Sequence, residues 1–294
     1  HFGFKWAFLA SSIGMIIGQV LFNSLSNRYL GNVGLQPTQL NVKEVPEKKN
    51  QKQPLTKKEK KRTLAIMILA CFVVFFWAGF EQAGSSFTLY TKNFVDREVF
   101  GYLVPVSWFQ SLNPLFIVSF APIISILWLK LSKSKTGDLK PITKMGLGMI
   151  LLGVGFMILI PAVLYTGSDE QNIVTKAHIA FIILTYLLHT LGELCLSPVG
   201  LSLVSKVAPL KIASLLMGVW LSAIGIANLI AGQLAALTAS LGYMGIFLTI
   251  GGVAIALGVI LLFASRKLTS MMSEYDEVGM TKDTQYNTIG NVNN

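Results

Sequence analysis

The sequence predicts an all-α polytopic membrane protein. Seven transmembrane helices are expected: one lone span, a long basic linker, then a bundle of six. Three observations predict it. Hydrophobic residues fill 53% of the 294 positions and charged residues only 13%, well short of the roughly 25% charged content of soluble domains. Apolar stretches recur that match the about 20 residues a helix needs to cross about 30 Å of hydrocarbon. Basic residues gather in alternate connections between those stretches.

Span one is Phe4–Ser24, within 1–24, and carries Gly14 and Gly18 at a spacing that permits close helix packing. Residues 25–62 break the composition with Gly31, Gly34, Pro37, Pro46 and Pro54, then a run KKEKKR. This stretch reads as a mostly irregular, cytoplasmic basic linker that sets topology, with binding to anionic lipid as the alternative role. Span two is Thr63–Tyr90 and contains Glu81. Span three runs from Pro105 to Leu131 with Asn113-Pro114 inside it, and span four is Pro141–Tyr165. Span five is Ala177–Val207, whose only formal charge between Lys176 and Lys206 is Glu193. Spans six and seven are Lys211–Ser240 and Tyr243–Ala264. The six-span bundle thus occupies 63–266, and 267–294 is expected to be a disordered cytoplasmic tail.

Twenty of the 24 Lys and Arg residues fall on one side of this layout. Only Lys5, Lys92, Arg97 and Lys176 fall on the other. The positive-inside rule makes the rich side cytoplasmic, so the chain begins outside and ends inside. The net charge of +10 therefore reports topology and does not point to nucleic acid. Two cysteines, Cys71 and Cys195, both inside spans, imply neither a disulfide framework nor a metal site. The chain opens with His1 and shows no signal peptide, so a fragment is expected. One span, a linker and six spans read as the last helix of one bundle followed by a whole second bundle. Transporters of the major facilitator superfamily have that plan, and about five helices would lie upstream.

Of the 14 acids, only Glu81 and Glu193 lie within spans, and no Lys or Arg lies deep in any span. A carboxylate near the centre of a membrane helix costs roughly 2.5–3.5 kcal/mol, so each should face protein or water and is a functional candidate. A carboxyl that changes protonation state suits proton coupling or capture of a cationic group. Trp77, Glu81 and Ser85 are spaced to share one helix face, as are His189, Glu193 and Ser197. Pro198 can bend span five beside the acid. Gln110, Ser111 and Asn113 form a polar patch that lipid would not tolerate. Trp220 sits mid-span, away from the interfacial belt. Packing is the alternative reading for each Trp and for His189, and a helix–helix hydrogen bond is the alternative for Asn113. There is no Walker loop, HExxH, Cys/His cluster or nucleophile motif, so an enzyme is not expected.

Three segments, in order and on separate spans, carry a family signature: FFWAGFEQAGSS (75–86), WFQSLNPLF (108–116) and GELCLSPVGLS (192–202). With MGVW (217–220) they resemble the second half of the proton-dependent oligopeptide transporter (POT/PTR) family of the major facilitator superfamily. The resemblance implies that Glu193 pairs with a peptide amino terminus and that Asn113 contacts the peptide. It implies that Trp77, Phe80 and Trp220 wall side-chain pockets, with Ser197 near the amino-terminal site. Glu81 resembles an acid tied to proton coupling and to a lysine in the other half. The family's first-helix motif and first-half lysine and tyrosines are absent here. The expected function is proton-coupled symport of di- and tripeptides through the plasma (inner) membrane, with no cofactor. The expected partners are lipid bilayer, peptide, protons and an N-terminal bundle. A same-fold transporter of another small solute such as nitrate, or a non-transporting sensor or assembly subunit, are the alternatives.

Overall fold

The computed structural model describes residues 4–29, 54–134, 137–167 and 175–272; 30–53 of the linker and the tail beyond Met272 lie outside the described residues. The chain divides into two compact units, His1–Gln53 and Pro54–Asn294. The first contains helix α1, Phe4–Tyr29, which continues past Ser24 into the stretch expected to be linker. Ser12 and Ser24 donate to carbonyls four residues back, hiding their hydroxyls along the helix.

The second unit starts with helix α2, Lys57–Phe80. The basic run is therefore helical, a correction to its place in an irregular linker. The reason is local: Thr56 and Glu59 form a capping box, with Thr56 N–H donating to Glu59 Oε2 at 2.7 Å and Glu59 N–H to Thr56 Oγ1 at 3.2 Å. Span two is also not one helix. α2 stops at Phe80, a 3₁₀ turn follows over Glu81–Gly84, and helix α3 resumes at Ser86–Phe94. Short strands β1 (Val95–Asp96), β2 (Glu98–Val99) and β3 (Tyr102–Leu103) lead to helix α4, Val106–Gln110, and helix α5, Leu112–Ser132. Helix α6 is Pro141–Thr166, with Pro141 at its start as proline's fixed φ favours. Strand β4 (Ala177–His178) pairs in parallel with β1, so the helix expected from Ala177 begins instead at Ala180; α7 is Ala180–Val207.

The last helical run, α8, spans Ala213–Met272. Gly242 interrupts it with φ 66° and ψ 171°, a backbone that glycine adopts without a Cβ penalty. Contacts on either side show a hairpin. Along α2 and α3, Glu59 meets Lys211, Gln82 meets Ala231 and Ser86 meets Thr238. Past Gly242 the order reverses, for the Tyr90 ring lies 5.4 Å from that of Tyr243 and Gly79 faces Ile250. Six helical stretches among the described residues are long and apolar enough to cross a membrane; the last of them, Leu210–Met272, folds into two arms, 213–241 and 243–272. Counted by arm, seven helical stretches among the described residues have the length of a crossing. The second arm runs on to Met272, with Leu268 and Met272 buried, so 267–272 belongs to the bundle and not to a disordered tail.

The two ends of the bundle are distinct. One holds the start of α2, the α7–α8 corner and the ends where Thr143 and Ser265 hydroxyls meet at 2.8 Å. The other holds the β1–β4 pair and Tyr243, whose ring lies 5.2 Å from that of Phe94. The first end carries Lys57 to Arg62, Lys140, Lys144, Lys206 and Lys211; it is the basic end.

Helix α6 is the hub, packed on α7 and on the second arm of α8. Glycines set the distance. A Cβ on Gly148 would stand 2.6 Å from the Gly192 carbonyl oxygen, and one on Gly153 would stand 2.7 Å from that of Gly251. Such small-residue contacts let backbones approach where lipid removes the usual hydrophobic drive between helices. Phe76, Met149, Leu152, Phe156 and Phe247, all fully buried, fill the space around the hub. Gly153→Leu is expected to wedge the second arm away and destabilise the bundle by about 1–3 kcal/mol. Gly218→Ala, where nothing lies within 4 Å, should leave the melting temperature in detergent unchanged. Equal melting of both variants would refute this account of α6.

Candidate functional site

Glu193 lies mid-way along α7, half-buried, and Asn113 in the first turn of α5 reaches it. Asn113 Nδ2 donates to Glu193 Oε2 at 2.8 Å and to Thr190 Oγ1 at 3.2 Å. Thr190 is fully buried, and its own hydroxyl donates to the Tyr186 carbonyl at 2.8 Å. A carboxylate inside a bundle needs such donors, and a charge-assisted bond of this length is among the stronger ones. Glu81 sits where α2 gives way to the 3₁₀ turn, half-buried, and lines one cavity with Asn113. Among the described residues neither carboxylate forms an ion pair with a cation.

Glu81 and Asn113, the hydrogen-bond partner of Glu193, line a cavity of about 190 Å³ whose walls also include Phe80, Gln110, Tyr186 and His189. That volume falls below the roughly 300–1,000 Å³ of a small-molecule pocket, so it forms part of a site. Two helix interruptions open it. One is the turn at Glu81–Gly84, the other the junction at Ser111 between α4 and α5. The first is held by Gln82, a fully buried residue that the sequence reading passed over. Its Nε2 donates to the carbonyls of Ala78 (3.2 Å) and Ala231 (3.1 Å), and its Oε1 accepts from Ser86 at 2.9 Å and Ser85 at 3.2 Å. Ser85 is thus engaged with Gln82 across the turn and does not continue a helix face with Trp77 and Glu81. Gln82 was legible as a second polar residue beside Glu81 in an otherwise apolar span.

The remaining candidates separate. The Trp77 ring lies 5.2 Å from that of Phe80, standing behind the residue that lines the cavity. His189 is buried among aromatic rings, 4.7 Å from Phe156 by ring centroids, and its Nε2 has no hydrogen-bond partner among the described residues. Gly155 makes room for it, since a Cβ there would stand 2.7 Å from Nε2. Ser197 is half-buried one turn beyond Glu193. Trp220 is buried against Gly200, where a Cβ would lie 2.5 Å from the indole; it belongs to the core and is not a wall of this cavity. Among the described residues no group of three or more His, Cys, Asp and Glu side chains could hold a metal ion.

A polytopic bundle with interrupted helices around paired mid-span acids has the design of a secondary transporter. The comparisons agree. The model of the POT family matches residues 23–246, and the chain belongs to that family. It is 37% identical over 178 residues to the peptide transporter YePEPT of Yersinia enterocolitica, covering 60% of this chain and 34% of that protein. It is 30% identical over 222 residues to a di-/tripeptide transporter of Lactococcus lactis subsp. cremoris, covering 74% of this chain and 43% of the relative. A crystal structure of a POT family transporter in complex with a thioalcohol-conjugated peptide superposes with a TM-score of 0.65 at 30% identity, over 90% of this chain and 54% of the other. The chain spans about a third to a half of the length of these relatives. They are transporters and not enzymes, as expected.

The Asn113–Glu193 bond can be tested by stability. Asn113→Leu should cost about 1–3 kcal/mol by leaving Glu193 short of a donor. Adding Glu193→Leu should recover part of that loss, since replacing both partners by apolar groups can be nearly neutral. Chemical or thermal unfolding of the two single variants and the double variant reads the coupling; strictly additive costs would refute it.

Proposed function

We propose that this chain supplies the second bundle of a proton-coupled symporter that imports di- and tripeptides. The observation that carries the reading is the Asn113–Glu193 pair, whose Asn113 shares a cavity with Glu81, two acids without a cation among the described residues. Asn113 occupies one Glu193 oxygen and leaves capacity on the other for an ammonium, the group every peptide presents at its amino terminus. Recognition of the shared charged end, with apolar rings such as Phe80 nearby, lets one site accept many side chains. The named relatives are peptide transporters, which supports the same substrate class.

Glu81 stands apart from the hydrogen-bonded pair and is the candidate for taking up the coupling proton. The gradient then supplies the work and no cofactor is needed. Alternating access would rock this bundle against a partner bundle, which would complete the cavity. In the intact transporter, Glu193→Gln and Glu81→Gln are each expected to lower pH-driven dipeptide accumulation in proteoliposomes by at least about tenfold, the loss of one charge-assisted contact. Normal uptake by Glu81→Gln would remove its coupling role. An intact protein that takes up no peptide at all would favour a sensor or assembly subunit.

The basic end faces the cytoplasm of the plasma membrane in this reading, by the positive-inside rule. A reporter fused after Asn294 should be active only in the cytoplasm; activity outside would invert the assignment.

A further inference from the structure

A second, larger cavity of about 580 Å³ lies between α5, α6 and α7, apart from the paired acids. Its size falls within the roughly 300–1,000 Å³ range of small-molecule pockets. Its polarity is graded along the helices. At the basic end, Lys144 is buried, with its ammonium 2.7 Å from Asp138 Oδ2 and 4.5 Å from the centre of the Trp128 ring. Asp138 balances that charge. Lys206, in the last turn of α7, lines the same cavity and makes no ion pair among the described residues. The Trp128 indole N–H is buried with no acceptor among the described residues. This end therefore carries one surplus positive charge and surplus donors.

Toward the middle of the bundle the walls become apolar, with Ala121 on α5 and Leu194 and Pro198 on α7. From Leu194 to Lys206 the cavity follows about 18 Å of helix. A free phosphate would satisfy the charged end and leave this apolar length unfilled. A zwitterionic lipid would bring a second cation beside Lys206.

We propose that this cavity binds an anionic phospholipid, its phosphate at Lys206 beside the Lys144–Trp128–Asp138 cluster and an acyl chain along Ala121, Leu194 and Pro198. The site is separate from the peptide site and does not depend on the transport reading. Each lysine near an anionic lipid headgroup contributes enough to shift binding by about fivefold.

Native mass spectrometry of the purified full chain in non-ionic detergent tests it, with phosphatidylglycerol, phosphatidylcholine and glycerol phosphate as probes. Phosphatidylglycerol should bind at one tight site, and phosphatidylcholine at least about fivefold more weakly. Lys206→Gln should weaken phosphatidylglycerol about fivefold, and Ala121→Phe, which fills the apolar stretch, should weaken it by a similar factor. Equal melting temperatures of the variants establish that both are folded. Unchanged binding in both folded variants, or equal binding of the two lipids, overturns the proposal. Displacement of phosphatidylglycerol by equimolar glycerol phosphate overturns the lipid in favour of a free phosphate ester.

Discussion

A carboxylate held in hydrocarbon must be given hydrogen-bond donors by the protein, and a regular helix has none to spare. Every backbone N–H in a helix interior already serves its own ladder. The bundle meets this constraint by interrupting two helices and facing both interruptions toward an unbroken one. α2 ends at Phe80, just before Glu81, and α5 begins beside Asn113. α7 continues past them carrying Glu193. Irregular backbone thus occurs where it lines a cavity, which is the setting in which membrane proteins tolerate it. Gln82 completes the arrangement: its amide donates to the Ala78 carbonyl beside the break and to Ala231 on α8, and its carbonyl accepts from the Ser86 hydroxyl beyond the turn.

The opposite side of the bundle is built for the reverse purpose. α6 approaches α7 and the second arm of α8 through glycine–glycine contacts in which no atom could be added. His189 links the two sides. Its ring fits against Gly155 on the hub while another part of it borders the cavity. Positions next to the acids are therefore backed by a closely packed wall, with the interrupted helices across the cavity.

Much of this was legible in the residues, and what was not has identifiable causes. The isolation of Glu81 and Glu193 in long apolar stretches marked them as site candidates, and the polar cluster ending at Asn113-Pro114 marked their partner. Pro141 marked the start of α6. The early start of α2 was written in Thr56 and Glu59 but was masked by the charge run between Lys57 and Arg62. The break after Phe80 had a weaker signal, since residues 63–90 read as one apolar period. It depends on Gln82 reaching Ala231 nearly 150 positions later. Trp220 shows the same limit. Whether a mid-span indole faces a cavity or a neighbouring helix was decided by Gly200, which has no side chain to keep it out. The extension of α8 to Met272 likewise rests on burial of Leu268 and Met272, which local composition does not report.

The reversal at Gly242 bears on how the chain is made. Without it, the 60 residues of α8 would form a rod of about 90 Å, three times the thickness of the hydrocarbon it must fit. A translocation channel handling such a rod would have no cue for where one crossing stops and the next begins. The corner at Gly242 divides that length into two arms, each near the span of a single crossing. Parity follows from it as well, because every segment after the corner owes its side of the bilayer to that one change of direction.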